Sequence, residues 1–261
     1  MPERFFNNAG PNDCQRHYCL DPLKRIDLAE VETLIDQARY FVLHAPRQTG
    51  KTTALLTLAK ELTASGQYVA VMLSMEVGAA FPDDTDMAEQ AMLADWRDSA
   101  EYDLPAELAP PPWPAAPAGS QIRMALSTWA ETSPRPLVVF LDEIDALRDE
   151  TLISVLRQLR SGYRTRPRGF PWSLALVGLR DVRDYKVASG GSDRLYTSSP
   201  FNIKAESITL RNFTAEEVAE LYQQHTDETG QEFTAEAKAH AFYLTQGQPW
   251  LVNALARQMV E

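Results

Sequence analysis

Two patterns of apolar residues alternate along this chain, continuous runs and helical spacing, and together they predict an α/β fold. Uninterrupted apolar runs are typical of strands that are buried on both faces, as in parallel sheets. Between these runs apolar residues recur at helical spacing, for example over 55–62, so helices are predicted to alternate with strands. The predicted strands lie at 40–44, 68–73, 136–141, 172–178 and, more briefly, 207–210.

Residues 212–261 show helical patterns only, which predicts a small helical domain after the sheet. Thr214 and Glu217 have the spacing of a capping box, which begins its first helix. The Gly-Gln-Pro sequence at 247–249 ends one helix and begins the last. Because the apolar face of that helix continues to Glu261, we expect the natural protein to extend further.

Residues 1–22 and 104–120 have no regular period. Residues 104–120 are rich in Pro and Ala and include three consecutive prolines, so they can form neither a regular helix nor a central strand. We interpret them as a semi-rigid surface excursion, with a Pro-rich ligand for a partner domain as the alternative. Residues 1–39 are predicted to form an ordered N-terminal segment, which precedes a core over 40–211 and the helical domain over 212–261.

The stretch after the first strand fits a phosphate-binding loop. Residues 45–52 match the pattern G-x-x-x-x-G-K-[ST], with alanine in the first place, and lie between a predicted strand and a predicted helix. Backbone N–H groups and the helix dipole attract phosphate at such a place, and Gly50 lets the backbone approach it closely. Lys51 is predicted to reach the β- and γ-phosphates, and the Thr52 hydroxyl to bind Mg²⁺.

The predicted nucleotide contacts in this stretch are Ala45, Pro46, Arg47, Gln48, Thr49, Gly50, Lys51, Thr52 and Thr53. An ordinary buried strand, turn and helix is the alternative interpretation of the same pattern.

Two acidic residues follow the third apolar run. Asp142 and Glu143 come directly after 136–141, at the carboxyl edge where open α/β sheets bind ligands. Asp142 is predicted to bind Mg²⁺, and Glu143 to orient and polarise the attacking water, although capping acids also follow many strands. We interpret Asp145 as the N-cap of the next helix.

Arginines supply further candidates. Arg180 stands just past the fourth strand, where it could sense a γ-phosphate or form a structural ion pair. A solvated charged face is the simpler interpretation of a second group, and a contact with a neighbouring subunit or with nucleic-acid phosphates is the alternative. This group consists of Arg157, Arg160, Arg164, Arg166 and Arg168.

Charge and composition narrow the class of protein. A net charge of −11 argues against extensive coating of nucleic acid, and an apolar content of 44% is sufficient for a core. No apolar run approaches the roughly 18 residues of a membrane span, and the first residues lack a signal-peptide core. We therefore expect a cytoplasmic protein without membrane contact. Cys14 and Cys19 are predicted to be reduced thiols, with a metal site that includes His17 as the alternative.

These motifs resemble those of AAA-type ATPases of the additional-strand class, particularly the bacterial AAA-like ATPases related to the STAND signalling group. The G-R-x-x-E element that is usual near the N-terminus of STAND proteins is absent. The resemblance implies a three-layer α/β/α P-loop fold with a five-stranded parallel sheet and a small all-helical lid. It covers nearly the whole chain and rests on residues 41–53, 140–145, 178–185 and 247–253.

The resemblance also implies functional residues and cofactors. ATP and Mg²⁺ would be the cofactors, and Arg180 would serve as the γ-phosphate sensor. Pro249 would approach the nucleotide from the lid, and the segment before the first strand would pack on adenine through Tyr18, Leu20 and Leu23.

Together these features predict a module that binds and hydrolyses ATP with Mg²⁺ and thereby drives a conformational switch or motor. One rival is a DNA-acting ATPase, such as a loader or transposition-type regulator, that contacts phosphates through the arginines of 157–168. A second rival is a nucleotide-dependent interaction module with little hydrolysis. Expected partners are a protein or a downstream effector domain and, with nucleotide bound, further copies of the chain.

Overall fold

Five parallel strands form the predicted sheet. A computed structural model describes residues 4–179 and 204–261 of the chain. Its strands are β1 (Tyr40–His44), β2 (Val69–Ser74), β3 (Leu137–Asp142), β4 (Ser173–Gly178) and β5 (Lys204–Thr209). The order across the sheet is β2-β3-β4-β1-β5, and every neighbouring pair is parallel. The five-stranded sheet and the three-layer α/β/α fold expected from the sequence are therefore confirmed.

Helices alternate with the strands and then follow them. Those in the first part of the chain are α1 (Leu28–Asp36), α2 (Lys51–Ala64), α3 (Thr85–Asp103), α4 (Gln121–Thr132) and α5 (Asp149–Gly162). Three more follow β5, namely α6 (Ala215–Thr229), α7 (Ala235–Thr245) and α8 (Pro249–Val260). We call these three the helical lid. The predicted capping box is present at its start, since the Thr214 hydroxyl accepts from the Glu217 N–H and the Glu217 carboxylate accepts in return.

The described residues group into two compact units. The sheet unit comprises Ala29–His44 and the described part of Leu55–Thr209, and it contains all five strands. The terminal unit comprises the described part of Met1–Leu28 together with Ala45–Ala54 and Leu210–Glu261. The phosphate loop and the helical lid thus belong to the terminal unit, whereas Asp142 and Glu143 belong to the sheet unit.

The sheet unit has a core of the kind that two-sided burial predicts. All six residues of β3 are buried, and so are all six of β4. Apolar side chains of α3, α4 and α5 pack on this sheet, with Trp96 and Trp129 among the largest that are fully buried. A strand that is buried on both faces is held rigidly. The backbone at its carboxyl end therefore has a fixed position and direction.

A buried carboxylate joins three helices of this unit. The Glu89 side chain on α3 is fully buried, and its Oε2 accepts from the backbone N–H groups of Gly119 at 3.1 Å and Gln121 at 3.2 Å. Its Oε1 accepts from Gln158 on α5. Burial raises the pKa of Glu89, and these hydrogen bonds act in the opposite direction. Glu89 therefore satisfies the first turn of α4, whose own N-cap, Ser120, makes no side-chain capping bond.

The N-terminal segment and the helical lid share one core in the terminal unit. Phe6 and Tyr18, both fully buried, pack on lid residues that include Tyr222 and Phe233. The Tyr18 hydroxyl lies 3.1 Å from Nδ1 of His225. Aromatic packing holds the N-terminal segment on the lid helices.

The prediction of reduced thiols was wrong. Cys14 and Cys19 form a disulfide with a Cα–Cα distance of 5.3 Å. The reason is the path of the chain, since Phe5 forms a parallel bridge with His17 and a turn at 14–16 brings the two cysteines within bonding range. The described residues contain no cluster of three or more His, Cys, Asp or Glu that could hold a metal ion.

The predicted γ-phosphate sensor, Arg180, falls outside the part of the chain that the structure describes. Of the helices within 4–179 and 204–261, none has the length and hydropathy needed to cross a membrane.

Candidate nucleotide site

The phosphate loop, residues 45–50, is a tight turn with a hydrogen bond of its own. It follows β1 along the chain and ends where α2 begins, at Lys51. Gln48 has φ of +60° and Gly50 has φ of +81°, so the loop turns through two residues in the left-handed region. The Thr49 hydroxyl donates to the Pro46 carbonyl at 2.9 Å, which holds the turn closed. Such a turn at a helix start directs backbone N–H groups towards an anion.

Lys51 lies folded over this loop. Its Nζ donates to the carbonyl of Ala45 at 2.8 Å and to that of Pro46 at 3.0 Å. Thr52 stands in the first turn of α2, and the hydroxyl of Thr53 accepts from the backbone N–H of Asn12 at 3.2 Å. The ammonium group and the first helical turn are thus held at the place where the sequence predicts phosphate and Mg²⁺.

Arg25, which the sequence analysis did not select, supports the loop from inside. Only 5% of Arg25 is exposed, and its NH1 donates to the Thr49 carbonyl at 2.6 Å and to the Arg211 carbonyl at 3.3 Å. The guanidinium lies over the Phe213 ring, 4.9 Å from its centroid. Burial lowers the pKa of Arg25 to about 10, so the group remains a cation at neutral pH. A Cβ on Gly50 would lie 2.8 Å from NH2 of Arg25. Glycine is therefore favoured at position 50 both by its positive φ and by the close approach of Arg25.

The Gly-Gln-Pro motif joins the lid to the loop. Gly247 has φ of +70°, and a Cβ there would collide with the carbonyl oxygen of Phe213. Gln248 is the N-cap of α8, and its Oε1 accepts from the Leu251 N–H at 2.6 Å. Its Nε2 donates to the carbonyls of Arg47 at 3.3 Å and Gln48 at 3.2 Å. The first turn of α8 is therefore hydrogen-bonded directly to the phosphate loop.

A small cavity lies beside these contacts within the terminal unit. Its volume is about 40 Å³. Its polar lining comes from Asn12, Arg25, Thr53 and Asn253, and the loop contributes Gly50. Its apolar lining consists of Tyr18, Leu20, Pro22, Phe213, Leu221 and Pro249. Tyr18, Leu20 and Pro249, which the family resemblance associated with the nucleotide, therefore line one cavity with the loop. Leu23 is buried nearby in sequence but does not line it.

An acidic group lies at the carboxyl edge of the sheet unit. Asp142, the last residue of β3, is 3% exposed, and its Oδ1 accepts from the Glu143 N–H at 2.9 Å. Glu143 is exposed and has φ of +58°, an uncommon conformation for a residue other than glycine. The side chain of Glu143 hydrogen-bonds to that of Glu76, which follows β2. Because β2 and β3 are parallel and adjacent, both strands deliver carboxylates to the same edge.

Burial and like charges raise the pKa of Glu143 to about 7. Partial burial is the largest cause, and the negative charges of Glu76, Asp142 and Asp145 act in the same direction. A carboxyl group with such a pKa changes its charge close to neutral pH. It can therefore take up a proton as a general base once the pH reaches that range and the carboxyl ionises.

We expect Glu76→Gln to shift the pH profile of any hydrolysis that depends on the Glu143 carboxylate. Removal of the neighbouring negative charge lowers the pKa of Glu143, so the rising limb should move to lower pH by about one unit. The rate at saturating Mg·ATP, measured from pH 5.5 to 9, tests this. Glu101→Gln, an exposed change on α3, is the control. An identical midpoint in Glu76→Gln and wild type would contradict a role of Glu76 beside Glu143.

The interpretation of Asp145 as the N-cap of the following helix was wrong. A single 3-10 turn, Ile144–Ala146, comes first, and the N-cap of α5 is Arg148. The Asp145 carboxylate instead accepts from the Leu179 N–H at 3.2 Å, just past β4. This contact holds the backbone just past the end of β4.

The arginine group at the end of α5 divides into two kinds of residue. Arg166 stacks on the rings of Tyr163 and Tyr40, at 3.5 and 4.8 Å from their centroids, and donates to the carbonyls of Tyr163 and Ala38. It is therefore a structural residue of the sheet unit. The other four are exposed and make no ion pair within 4–179 and 204–261, namely Arg157, Arg160, Arg164 and Arg168.

Four residues at these sites were not predicted from the sequence. Gln248 and Asn253 flank Pro249 in the recognised motif, and Glu76 follows a strand at the ligand-binding edge, so positional signals for them existed. Arg25 had no such signal, because its partners Thr49 and Arg211 are 24 and 186 residues away in the chain.

One family model matches part of this chain. Residues 41–168 match the model of the ATPase family associated with various cellular activities (AAA). A search of curated proteins found no significant match. Among solved structures, a Walker-type ATPase of Pyrococcus abyssi aligns with a TM-score of 0.64 and 11% identity, over 98% of this chain and 71% of that one.

Two further structures share the fold. A RuvB variant of Thermotoga maritima aligns with a TM-score of 0.51 and 14% identity, over 96% of this chain and 65% of its own. The Orc2 protein of Aeropyrum pernix, solved with ADPNP and ADP, aligns with a TM-score of 0.51 and 15% identity, over 88% of this chain and 58% of its own. This chain thus spans less than two thirds of these two proteins. At such identities the likeness is one of fold.

Proposed function

Because this chain belongs to the AAA-like P-loop ATPases, we propose that it binds Mg·ATP, hydrolyses it and uses the cycle as a conformational switch or motor. The observation that carries the proposal is the phosphate loop. It makes a left-handed turn at Gln48 and Gly50, has Lys51 at the start of a helix, and is hydrogen-bonded to the lid through Gln248. Phosphate bound by its N–H groups would therefore act on contacts that the lid already makes.

The oxygen donors of the chain suit Mg²⁺. Thr52 offers a hydroxyl and Asp142 a buried carboxylate, and Mg²⁺ prefers such hard ligands, usually one or two carboxylates together with substrate phosphates and waters. When bound, the ion would offset phosphate charge and help to orient the γ-phosphate. We assign Asp142 and Thr52 to holding it, in line with the sequence prediction.

Hydrolysis requires a carboxylate that can polarise water, and we assign this role to Glu143. Its left-handed backbone turns it away from the continuation of β3, and its side chain is exposed at the carboxyl edge of the sheet. The raised pKa, about 7, makes it a stronger hydrogen-bond acceptor than an ordinary carboxylate once it is ionised. We also retain Arg180 as the proposed γ-phosphate sensor.

The switch would act through the helical lid. Gln248 donates to two loop carbonyls, and Arg25 joins Thr49 of the loop to Arg211 at the beginning of the lid. A triphosphate that draws Lys51 away from the Ala45 and Pro46 carbonyls would change the loop next to Arg47 and Gln48, whose carbonyls Gln248 contacts. The nucleotide can change the position of the lid only if one lid position binds ATP more tightly, relative to ADP, than another position does.

Contact with nucleic acid is not part of this proposal. The net charge is −11, and Arg166, central in the arginine group, is occupied by Tyr40 and Tyr163. A protein partner or effector domain that follows the state of the lid fits the proposed switch better.

The proposal is tested by thermal unfolding with nucleotide. We expect millimolar Mg·ATP to raise the melting temperature by about 5 to 10 °C, because a ligand at 100 times its Kd stabilises the native state by about 2.7 kcal/mol. Phosphate release, measured in parallel, separates an ATPase from a module that binds nucleotide without hydrolysis. An unchanged melting temperature with both ATP and ADP would exclude the nucleotide site.

A further inference from the structure

A cavity of about 290 Å³ lies in the sheet unit beside strand β2, and we call it the edge cavity. Among the described residues only β3 pairs with β2, so β2 is an edge strand of the sheet. Its consecutive residues Ala70, Val71 and Met72 all line the cavity. Since consecutive side chains of a strand point to opposite faces, a cavity that touches three in a row lies along the outer edge of β2.

Alternate residues of β2 direct their backbone groups away from the sheet. The N–H of Val69 donates to the Pro136 carbonyl at 3.0 Å, and that of Met75 donates to the Asp142 carbonyl at 2.9 Å. The odd-numbered residues therefore bond to β3. A strand residue directs its N–H and C=O to one side, and the next residue directs them to the other. The residues of β2 that direct these groups to the outer edge are Ala70, Met72 and Ser74.

This outer edge is covered on both sides of Met72. The Thr63 hydroxyl accepts from the Ala70 N–H at 2.9 Å and donates to its carbonyl at 3.2 Å. The Ser74 carbonyl accepts from Nε1 of Trp96 at 2.7 Å. The N–H and C=O of Met72 have no hydrogen-bond partner among the described residues. An added strand of a partner protein pairs with several residues in succession, so this opening fits a molecule the size of one amino acid.

Two half-buried side chains of opposite charge line the edge cavity. They are Asp103, the last residue of α3, and Arg135, which comes shortly before β3. The Asp103 carboxylate makes no hydrogen bond or ion pair within the described part of the chain. Burial raises the pKa of Asp103, and the positive charge of exposed Lys60 acts in the opposite direction. Arg135 NH1 donates to the Thr63 carbonyl at 3.2 Å, and a guanidinium has further N–H donors.

We propose that the edge cavity binds a free α-amino acid with an apolar side chain. An α-amino acid carries its ammonium and carboxylate on one carbon atom, as a strand residue carries its N–H and C=O. It can therefore exchange two hydrogen bonds with Met72, as opposite residues of antiparallel strands do. The ammonium also meets Asp103, and the carboxylate also meets Arg135. This site goes beyond the proposed function and does not rest on the nucleotide site.

The size and the apolar lining of the edge cavity define the ligand further. Its volume is at the lower end of ligand-binding cavities, which begin at roughly 300 Å³, so it suits a molecule much smaller than a nucleotide. Its apolar lining includes Leu56, Ala59, Leu104 and Leu108. These residues favour an aliphatic or aromatic side chain on the ligand over a charged one.

Ligand analogues test the two charges without altering the protein. We would titrate the full chain, without nucleotide, with L-leucine by calorimetry, and we expect a Kd below about 1 mM. N-acetyl-L-leucine lacks the ammonium and L-leucinamide lacks the carboxylate. Each should bind about tenfold more weakly or worse, because hydrogen bonds between charged groups are lost. A Kd above about 1 mM for each of L-leucine, L-valine and L-phenylalanine would overturn the proposal.

The variants Asp103→Asn and Arg135→Gln assign each charge to a residue. Asp103→Asn should weaken L-leucine about tenfold and leave N-acetyl-L-leucine nearly unchanged, since that analogue has no ammonium. Arg135→Gln should weaken L-leucine and leave L-leucinamide nearly unchanged, and its amide keeps a donor for the Thr63 carbonyl. Asp98→Asn is the matched control, because Asp98 is an exposed aspartate on the same helix that does not line the cavity.

Met72→Pro tests the backbone contact. Proline removes an N–H that no bond to β3 uses, and edge strands tolerate it at such a position. This variant should weaken L-leucine about tenfold, whereas Met72→Leu, which keeps the N–H, should bind it like the wild type. If Met72→Pro does not fold, the analogue series on the wild-type chain still decides.

The remaining outcomes contradict the proposal in different ways. Equal weakening of L-leucine and both analogues in Asp103→Asn and Arg135→Gln would show that these residues are structural. Tighter binding of the blocked peptide acetyl-Val-Leu-Val-amide than of L-leucine would mean that the edge takes up a strand of a partner protein. Because nucleotide is absent from every titration, failure here leaves the nucleotide site untouched, and failure of ATP to bind leaves the edge cavity untouched.

Discussion

Glu143→Gln is expected to lower the rate of ATP hydrolysis by about two orders of magnitude or more, while Mg·ATP still binds. Glutamine keeps the shape of the side chain and the left-handed backbone at φ of +58°, but it removes the negative charge that polarises water. The variant also removes a group whose pKa is about 7 from an acidic cluster. Its affinity for nucleotide should therefore be equal to that of the wild type or slightly higher, because repulsion of phosphate is reduced.

Single-turnover phosphate release and equilibrium titration with Mg·ATP check the two halves of this expectation separately. Glu150→Gln is the control, an exposed glutamate seven residues further along with no contact to the acidic group. Weaker nucleotide binding with unchanged turnover would mean that Glu143 has a structural role. The assignment of Asp142 and Glu143 to Mg²⁺ and water would then need to be exchanged or abandoned.

Local patterns in the sequence were sufficient for the framework of the fold. Residues 137–141 are all apolar and all buried, as expected for a central parallel strand, and Asp142 stands at its end. The loop pattern at 45–52 predicted a turn into a helix, which the structure shows from Gly50 into α2. These predictions depend on periodicity and on short-range geometry, which neighbouring residues determine almost alone.

Predictions that depend on the folded environment of a residue were less successful. Cys14 and Cys19 were expected to be free, but the path of the N-terminal segment brings them together. Arg166 was grouped with exposed arginines, yet two tyrosines from different parts of the sheet unit hold it. In each case the decisive contact is set by tertiary packing, and a single sequence gives no periodic signal for it.

The residues around the cavity beside the phosphate loop show the same limit. Tyr18, Leu20 and Pro249 came from the family resemblance and do line it, but Arg25 and Asn253 were not selected. Each of these two has a side-chain atom that is buried without a partner among the described residues, which is a property of the packed structure rather than of the residue type.

Lys51→Ala is expected to weaken Mg·ATP binding by about 10²-fold or more and to remove most of the thermal shift with nucleotide. The ammonium group now donates to the Ala45 and Pro46 carbonyls, at 2.8 and 3.0 Å, so it is held above the loop in a folded position. With a triphosphate it would exchange these neutral acceptors for charged phosphate oxygens. Hydrogen bonds to charged groups contribute about 1.5 to 3 kcal/mol each, and two of them account for the expected loss.

The control for this variant is Lys60→Ala, which removes the same side chain from an exposed position on the same helix. Without nucleotide, both variants should melt within a few degrees of the wild type, since each loses only surface or loop contacts. Because Lys51 is predicted to reach the β- and γ-phosphates, ADP should lose less affinity than ATP in Lys51→Ala. Isothermal titration with both nucleotides measures this difference. Equal and small losses for ATP and ADP would mean that the loop amides hold the phosphates and that the lysine belongs to the structure of the loop.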